Sequence, residues 1–195
     1  MLRIAVFCSG GGTNLQAIID AGINISLVVA SKPGIYAIHR AEEKNIPVAV
    51  TRNQTEIIEL LHTNRINLVV LTGWTKILSN KFFSEYKGKI INIHPSLLPS
   101  FGGKGFYGLK VHEAVLAAGV KVTGATVHYV TEDVDAGPIL LQKVVDVIEG
   151  DTPETLQRRV MEEAERIILV EAILNEDSCD RRRWQGTCDL LAVEE

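Results

Sequence analysis

Residues 89–99 read KIINIHPSLLP and mark the end of a buried strand. Pro95 cannot continue a central strand, and it restrains His94 toward extended backbone geometry. Asn92 and His94 are two positions apart, so in a strand they point to the same face. A neutral amide donor and a titratable imidazole thus meet at the carboxyl end of a strand, where open α/β sheets carry their chemistry. Taken alone, the segment is equally compatible with a surface Asn and a capped His.

Apolar runs alternate with helical patterns on both sides of this strand. Strands are predicted at 3–8, 25–30, 47–50, 68–71, 89–93, 123–131 and 139–147, and helices at 14–21, 36–44, 54–62, 81–86, 110–118 and 154–174. Helices between successive apolar strands imply a parallel sheet, and the late strand pair without a helix adds an antiparallel edge. We therefore expect an α/β fold: one doubly wound, Rossmann-like domain over residues 1–174. The remaining residues, 175–195, are expected to form a poorly ordered or loosely docked tail.

The composition excludes several classes of protein. The chain of 195 residues has a net charge of −4 and is 46% hydrophobic, so it lacks the basic excess of an electrostatic nucleic-acid binder and the polybasic patch of a membrane-surface protein. No apolar run is long enough to span a bilayer. The three cysteines, Cys8, Cys179 and Cys188, form no CxxC pair. That usage favours free thiols in a reducing compartment and predicts a cytoplasmic protein.

The first predicted strand leads through the sequence SGGGTN (residues 9–14) into a helix. Glycines let the backbone approach a ligand closely, and a helix start offers free N–H groups and a positive dipole end. Leu15 stands where the third glycine of GxGxxG would fall, and the GK[ST] ending of a P-loop is missing. The pattern favours a monophosphate site over a dinucleotide site. The structural alternative is a turn capped by Thr13 or Asn14.

A loop with three acids, VTEDVDAGP (130–138), joins the two late strands. Glu132 and Asp133 fit a solvated turn. Asp135 is different, because its carboxylate can approach His94 if the loop folds over the end of strand 89–93. A nearby negative charge favours the imidazolium form and keeps a proton available for donation. We interpret His128, on the preceding strand, as a packed or hydrogen-bonded residue rather than a second acid.

Four motifs follow one another along the chain: SGGGTNLQAIID (9–20), LTGWTKILS (71–79), INIHPSLLPSFGGKG (91–105) and ATVHYVTEDVDAGPILLQ (125–142). In this order and at these separations they resemble the phosphoribosylglycinamide formyltransferases, folate-dependent enzymes of purine biosynthesis, over residues 3–174. The resemblance implies transfer of a formyl group from 10-formyltetrahydrofolate, a co-substrate, to the amine of phosphoribosylglycinamide. It implies small-molecule substrates and no metal. We expect no nucleic-acid or membrane partner, and a monomer or weak homodimer.

The resemblance also implies roles for the residues that match the family's motifs. Asn92 and His94 would hold and protonate the tetrahedral intermediate, and Asp135 would tune the histidine. The substrate nucleotide would be bound by the backbone of Gly12, Thr13, Asn14 and Leu15 and by the side chain of Glu165. The folate would be bound by Thr75, Lys76, Ile77, Leu78, Asn92, Thr131, Glu132, Asp133, Val134 and Asp135.

The chain departs from the family in three places. Segment 47–67 is shorter than in familiar members, so a substrate-binding arginine has only Arg52 as a weak candidate. Val170 replaces the proline that normally anchors the register of Glu165, and the alternative is that the acids of 162–165 form an exposed helix face. Residues 175–195 are unlike the family's usual ending.

Other functions stay open at this point. A formyltetrahydrofolate deformylase would add an N-terminal regulatory domain, and a methionyl-tRNA formyltransferase would add a C-terminal RNA-binding domain. We expect neither, because the first strand begins at Arg3 and the sequence ends soon after the last predicted helix. A non-catalytic sugar-phosphate sensor would keep the glycine-rich loop, but it would not need Asn92, His94 and Asp135 together.

Overall fold

The computed structural model describes residues 2–184. The strands are β1 (Ile4–Cys8), β2 (Ile25–Ala30), β3 (Val48–Val50), β4 (Leu68–Thr72), β5 (Lys89–His94), β6 (Val122–Tyr129) and β7 (Ile139–Asp146). The helices are α1 (Thr13–Asp20), α2 (Tyr36–Glu42), α3 (Gln54–Thr63), α4 (Asn80–Glu85), α5 (Leu109–Ala117), α6 (Pro153–Val160) and α7 (Arg166–Trp184), and a π-helical turn (Met161–Glu165) joins the last two.

The strands form one seven-stranded sheet in the order β3-β2-β1-β4-β5-β6-β7. Strands β1 to β5 pair in parallel, and β6 and β7 add antiparallel pairs at one edge. The predicted fold class is therefore confirmed. The chain runs outward from β1 to β3 and then returns to the other side of β1 with β4. This reversal is a topological switch point, and it opens a crevice at the carboxyl ends of β1, β4 and β5.

Helices cover both faces of the sheet. One core cluster joins the sheet to α1, α2, α5, α6 and α7 through residues such as Leu15, Val115 and Leu169. The other joins it to α3 and α4 through Ile57 and Phe82. All residues of β1 and β4 are buried, which explains why these strands are continuous apolar runs rather than alternating ones.

The C-terminal helix differs from the expectation. Residues 175–184, which we expected in a tail, continue α7 to Trp184. Glu176 fixes this extension, because its carboxylate accepts hydrogen bonds from Lys89 Nζ (2.6 Å) and from the hydroxyl of Tyr129. The rest of the predicted tail, 185–195, lies outside the described residues, as do the side chains of Cys179 and Cys188. Cys8 is a buried free thiol. Within the described part, no helix has both the length and the apolar character needed to cross a bilayer.

Candidate active site

A cleft of about 1030 Å³ opens at the switch point of the sheet. Its size lies at the upper end of the usual range for small-molecule sites, about 300–1,000 Å³. The lining consists of residues 9–14, 71–78, 92–95 and 103–108 with Phe83, His112, His128, Val130, Thr131, Glu132, Val134, Asp135, Gln157, Met161 and Glu165. In residues 2–184, no group of three or more His, Cys, Asp or Glu side chains is placed to hold a metal ion.

The glycine-rich loop forms one end of the cleft. Gly12 has a left-handed φ of 70°, and a Cβ there would lie 2.8 Å from the Cβ of Ala37, so the position requires glycine. No side chain caps α1, and its first backbone hydrogen bond runs from the amide of Gln16 to the carbonyl of Gly12 (2.9 Å). The amides of the first helical turn therefore remain for an anion. Leu15 is fully buried in the core and is absent from the cleft lining, so the predicted contact between its backbone and the nucleotide has no geometric support.

Glu165 lies beside this loop. Its carboxylate accepts a hydrogen bond from Asn14 Nδ2 at 2.7 Å. Burial raises the pKa of Glu165, and the hydrogen bond from Asn14 and the charge of Arg166 oppose that rise. Glu162 and Glu163 are exposed, so the alternative of an exposed acidic helix face applies to them and not to Glu165. The π-helical turn ends at Glu165.

Strand β5 supplies the amide and the imidazole. Ile91 and Ile93 point into one core cluster, so Asn92 and His94 point to the opposite face, and both line the cleft. His94 Nε2 lies 2.9 Å from the carbonyl oxygen of Phe101. A carbonyl can only accept, so this nitrogen carries a hydrogen. His94 Nδ1 lies 3.6 Å from Asp135 Oδ2, so the second ring nitrogen faces a carboxylate.

Asp135 is held by its own loop. Its φ of 56° is left-handed, a conformation that Asp tolerates better than most residues. Its Oδ2 accepts a hydrogen bond from the amide of Gly103 at 2.9 Å. Gly137 closes the turn against β6, where a Cβ would come within 1.9 Å of the Tyr129 carbonyl oxygen. The loop therefore folds over the end of β5 and brings Asp135 next to His94.

His128 orients Asn92. Its Nδ1 lies 2.9 Å from the carbonyl oxygen of Tyr129, and its Nε2 lies 3.1 Å from Asn92 Nδ2. Burial lowers the pKa of His128, although the Tyr129 carbonyl and the Asp135 charge oppose it. A neutral ring that donates from Nδ1 accepts at Nε2. His128 thus receives one N–H of the Asn92 amide and leaves the other for a ligand, and it is a hydrogen-bonded residue, as the sequence analysis interpreted it.

The two predicted folate segments line the same cleft from different elements. Residues 75–78 follow β4, and Thr131, Glu132, Val134 and Asp135 belong to the loop after β6. Asp133 is the exception: it is absent from the lining, and its carbonyl closes the turn by accepting from Thr131 Oγ1 at 3.2 Å. The prediction of a folate contact at Asp133 therefore has no geometric support, because its place in the turn keeps it out of the cleft.

Gln54 anchors the first of these segments. Its Nε2 donates to the carbonyl of Ile77 at 3.0 Å, and its Oε1 accepts from the amide and hydroxyl of Ser79. Sequence reasoning missed this contact, since nothing near Gln54 in the chain indicates its partner. Arg52, the candidate for the substrate arginine, is exposed, donates to the carbonyl of Ser31 at 2.5 Å and does not line the cleft.

Two further parts of the lining were not predicted. Residues 103–108 form a wall next to Asp135, and Gln157 and Met161 extend the wall that contains Glu165. The sequence contains one indication of the wall at 103–108, because residues 102–108 include four glycines. In the structure three of them, Gly103, Gly105 and Gly108, adopt a positive φ.

Comparison with known proteins finds a consistent set of relatives. Residues 2–173 match the formyl transferase family. The chain is 44% identical over 173 residues to the trifunctional purine biosynthetic protein adenosine-3 of Bos taurus, with 81% of this chain and 17% of that protein covered. It is 38% identical over 175 residues to the phosphoribosylglycinamide formyltransferase of Bacillus subtilis (strain 168), with 82% and 87% covered. A crystal structure of glycinamide ribonucleotide transformylase 1 from Symbiobacterium toebii superposes with a TM-score of 0.82 at 37% identity, with 89% and 86% covered.

Proposed function

This chain belongs to the formyl transferase family, and we propose that it transfers a formyl group from 10-formyltetrahydrofolate to the amine of phosphoribosylglycinamide in purine biosynthesis. One observation carries the proposal: Asn92, His94 and Asp135 converge in the cleft that also receives the start of α1. The products are formylglycinamide ribonucleotide and tetrahydrofolate. A sugar-phosphate sensor would need the anion-binding loop alone, whereas formyl transfer needs the polar trio beside it.

The nucleotide occupies the end of the cleft formed by α1 and the π-helical turn. Its phosphate accepts hydrogen bonds from the backbone amides of Gly12 and the first turn of α1, where the helix dipole favours negative charge. Glu165 faces the ribose or the amine. The hydrogen bond from Asn14 to Glu165 supports this assignment, because it couples the phosphate loop to the carboxylate.

The folate occupies the slot between residues 75–78 and the loop 131–135. Leu71 and Leu78 and the ring of Trp74 supply apolar surface at this end of the cleft, and backbone groups of the two segments are suited to orienting a planar heterocycle. The anchor at Gln54 keeps the first wall in place. The formyl group then projects toward Asn92, which is shared by both substrates.

The chemistry follows from these groups. The amine of the nucleotide attacks the formyl carbon, a C–N bond forms, and the carbonyl oxygen becomes an oxyanion. The free N–H of Asn92 stabilises that charge. Holding both substrates in one cleft also converts a bimolecular step into an effectively unimolecular one.

Collapse of the intermediate needs a proton. The bond to the folate nitrogen breaks as the carbonyl re-forms, so that nitrogen must be protonated while the amine loses a proton. His94 Nε2 is bound to Phe101, so the mobile proton is the one on Nδ1, which faces Asp135. The Nδ1 proton passes to the folate nitrogen, directly or through a water molecule. The proton lost by the amine returns to His94 by way of the Asp135 carboxylate, whose Oδ2 lies 3.6 Å from Nδ1.

The proposal is tested by following tetrahydrofolate release from 10-formyltetrahydrofolate with phosphoribosylglycinamide, with charged initiator tRNA, and with water alone. We expect release only with the nucleotide, together with formylated nucleotide. Release without any acceptor would identify a deformylase, and release with tRNA a methionyl-tRNA formyltransferase. Nucleotide binding without any release would leave a sensor.

The remaining expectations complete the proposal. The formyltransferase domain covers residues 1–174, which the family match at 2–173 supports. It acts in the cytoplasm on small molecules as a monomer or weak homodimer, without nucleic-acid or membrane partners. The net charge of −4 supports the last point, because a binder of phosphate backbones or anionic lipids needs a basic surface. Sedimentation velocity over a range of protein concentrations measures the oligomeric state.

A further inference from the structure

The cleft contains a buried histidine to which the proposed reaction gives no role. His112 lies on α5 beside the buried Val111 and Val115. Its side chain is 0% exposed and lines the cleft. Among the described residues, neither Nδ1 nor Nε2 of its ring has a hydrogen-bond partner. His94 and His128, the other two histidines of the cleft, each have polar groups facing both ring nitrogens.

The ring of His112 is uncharged at neutral pH. Burial, helped by the neighbouring His94, lowers its pKa to about 4. A neutral imidazole presents one N–H donor and one bare acceptor nitrogen. Buried polar atoms of this kind destabilise a protein unless they are paired, and an apolar ring would fill the same space without that cost. The chemistry therefore points to a partner that enters the cleft and carries an uncharged donor or acceptor.

The position of His112 indicates which substrate supplies that partner. Helix α5 packs against α6, and α6 with its π-helical turn brings Gln157, Met161 and Glu165 to the cleft. Glu165 in turn is hydrogen-bonded to Asn14 of the phosphate loop. His112 thus belongs to the side of the cleft assigned to the nucleotide. The phosphate itself has its own site at α1, which leaves the ribose hydroxyls and the glycinamide amide as uncharged polar groups.

We propose that His112 binds the acceptor nucleotide by a hydrogen bond to a ribose hydroxyl or to the glycinamide amide. The inference rests on the proposed function, because it takes the nucleotide as the ligand of this wall. It makes His112 a residue for affinity and selectivity toward the acceptor and not a proton donor in the reaction.

The test compares the wild type with His112→Phe, which fills the space but offers no polar atom. Titration calorimetry measures the Kd of phosphoribosylglycinamide and, separately, of a folate analogue. We expect the nucleotide Kd to rise about tenfold, the loss of one hydrogen bond, and the folate Kd to stay unchanged. His62→Gln, at an exposed histidine of α3, serves as the control and leaves both constants unchanged.

A second measurement identifies the group that is bound. Nucleotide analogues that lack the 2′-hydroxyl, the 3′-hydroxyl or the amide carbonyl are titrated into both proteins. The analogue that lacks the group bound by His112 should bind the wild type more weakly than the complete nucleotide does. The same analogue should bind His112→Phe as tightly as the complete nucleotide does, because that variant has no partner for the missing group. If His112→Phe does not fold, His112→Leu takes its place in the same scheme.

Three results would overturn the role of His112. The first is an unchanged nucleotide Kd in a folded variant, and the second is an equal loss for every analogue in both proteins. The third is a parallel loss of nucleotide and folate affinity, since it would indicate a general distortion of the cleft. None of them affects the proposed function, which fails only if the wild type does not formylate the nucleotide.

Discussion

At the scale of single residues, the site depends on neighbours that orient each reacting group. The neutral ring of His128 holds the amide of Asn92, and the amide of Gly103 holds the carboxylate of Asp135. Asp135 Oδ1 and Oδ2 lie 3.7 and 3.6 Å from the rings of His128 and His94, respectively. Asn92 and Asp135, which we propose to act on the substrates, are therefore each oriented by a neighbouring group, which is how a site keeps its geometry without a ligand.

The first prediction concerns the oxyanion donor. Asn92→Ala should lower the rate of formyl transfer by about 10²–10³, because it removes the N–H that stabilises the developing charge. The thermal midpoint should change little, since Asn92 is only partly buried. Single-turnover kinetics with both substrates saturating measures the effect. A variant that keeps wild-type turnover would remove Asn92 from the mechanism.

The second prediction concerns Asp135. Asp135→Asn removes the carboxylate that faces His94 Nδ1 at 3.6 Å and His128 Nε2 at 3.7 Å. A neutral amide cannot accept the proton that the reacting amine loses, so the rate of formyl transfer should fall by about 10²–10⁴, while the Kd of each substrate should change far less. Single-turnover kinetics and titration calorimetry measure the two effects. A variant that keeps the wild-type rate would reject this role and leave Asp135 as a structural residue.

Asn92, His94 and Asp135 could be predicted from the sequence because short-range features of the chain determine where they lie. The two-residue period of a strand, the stop at Pro95 and the turn Ala-Gly-Pro after Asp135 each act over a few residues. His112 and Gln54 were not found for the opposite reason. Their importance depends on which distant segment lies opposite, and neither side chain differs locally from a core or helix-surface residue.

At the scale of elements, the junction of β1 and α1 requires glycine at position 12 for two reasons. Gly12 must adopt a left-handed φ, and it must allow α2 to approach at Ala37. Gly10 and Gly11 have open space around them and carry neither demand. The three glycines of this loop are therefore unequal, although the sequence presents them as one motif.

The third prediction uses that inequality. Gly12→Ala should lower the free energy of unfolding by about 1–2 kcal/mol for the left-handed backbone alone, with a further loss from the contact at Ala37, and it should weaken nucleotide binding. Gly10→Ala, the matched control, should stay within about 0.5 kcal/mol of wild type. Urea unfolding and nucleotide titration measure the two effects. Similar stabilities for both variants would contradict the conformation assigned to Gly12.

The fourth prediction concerns the two folate walls. If residues 75–78 and 131–135 enclose one ligand, binding of a folate analogue should slow hydrogen exchange in both segments, because each becomes ordered and shielded. Exchange followed by mass spectrometry resolves segments of this length. The turn 148–151, remote from the cleft lining, provides an internal reference. Slower exchange in one wall alone would separate the two segments.

The elements themselves were mostly predictable, since apolar runs and helical periodicity identify them. The π-helical turn was not, because the buried residues before, within and after it, Leu156, Val160, Ala164 and Ile168, recur at every fourth position, a spacing that an ordinary amphipathic helix also shows. The extension of α7 was missed because Glu176, read along the chain, has no visible partner. Its partners Lys89 and Tyr129 belong to β5 and β6.

At the scale of the whole molecule, buried neutral histidines make stability depend on pH. Burial lowers the pKa of His112 from 6.5 to about 4 and lowers that of His128 as well. At pH values below 6.5, these histidines bind protons in the unfolded chain but stay neutral in the native state. The native state is therefore most stable above pH 6.5 and loses stability as the pH falls from 6.5 toward the lowered pKa values.

The fifth prediction isolates the share of His112. Between pH 6.5 and about 4, the window set by the two values for this residue, the free energy of unfolding should fall less steeply for His112→Phe than for wild type. The reason is that the unfolded variant has one histidine fewer that can bind a proton in this pH range. Urea titrations at several pH values measure the slope, and His62→Gln should keep the wild-type slope. Identical slopes for wild type and His112→Phe would show that His112 titrates normally.

The hydrogen bond from Asn14 to Glu165 joins residues that are 151 positions apart. During translation, β1 and the glycine-rich loop leave the ribosome before the segment that carries Glu165, and the sheet can begin to assemble around them. The proposed nucleotide pocket is complete only after that segment has docked beside α1. We therefore expect a nascent chain to gain affinity for the nucleotide late, once the end of the domain has folded.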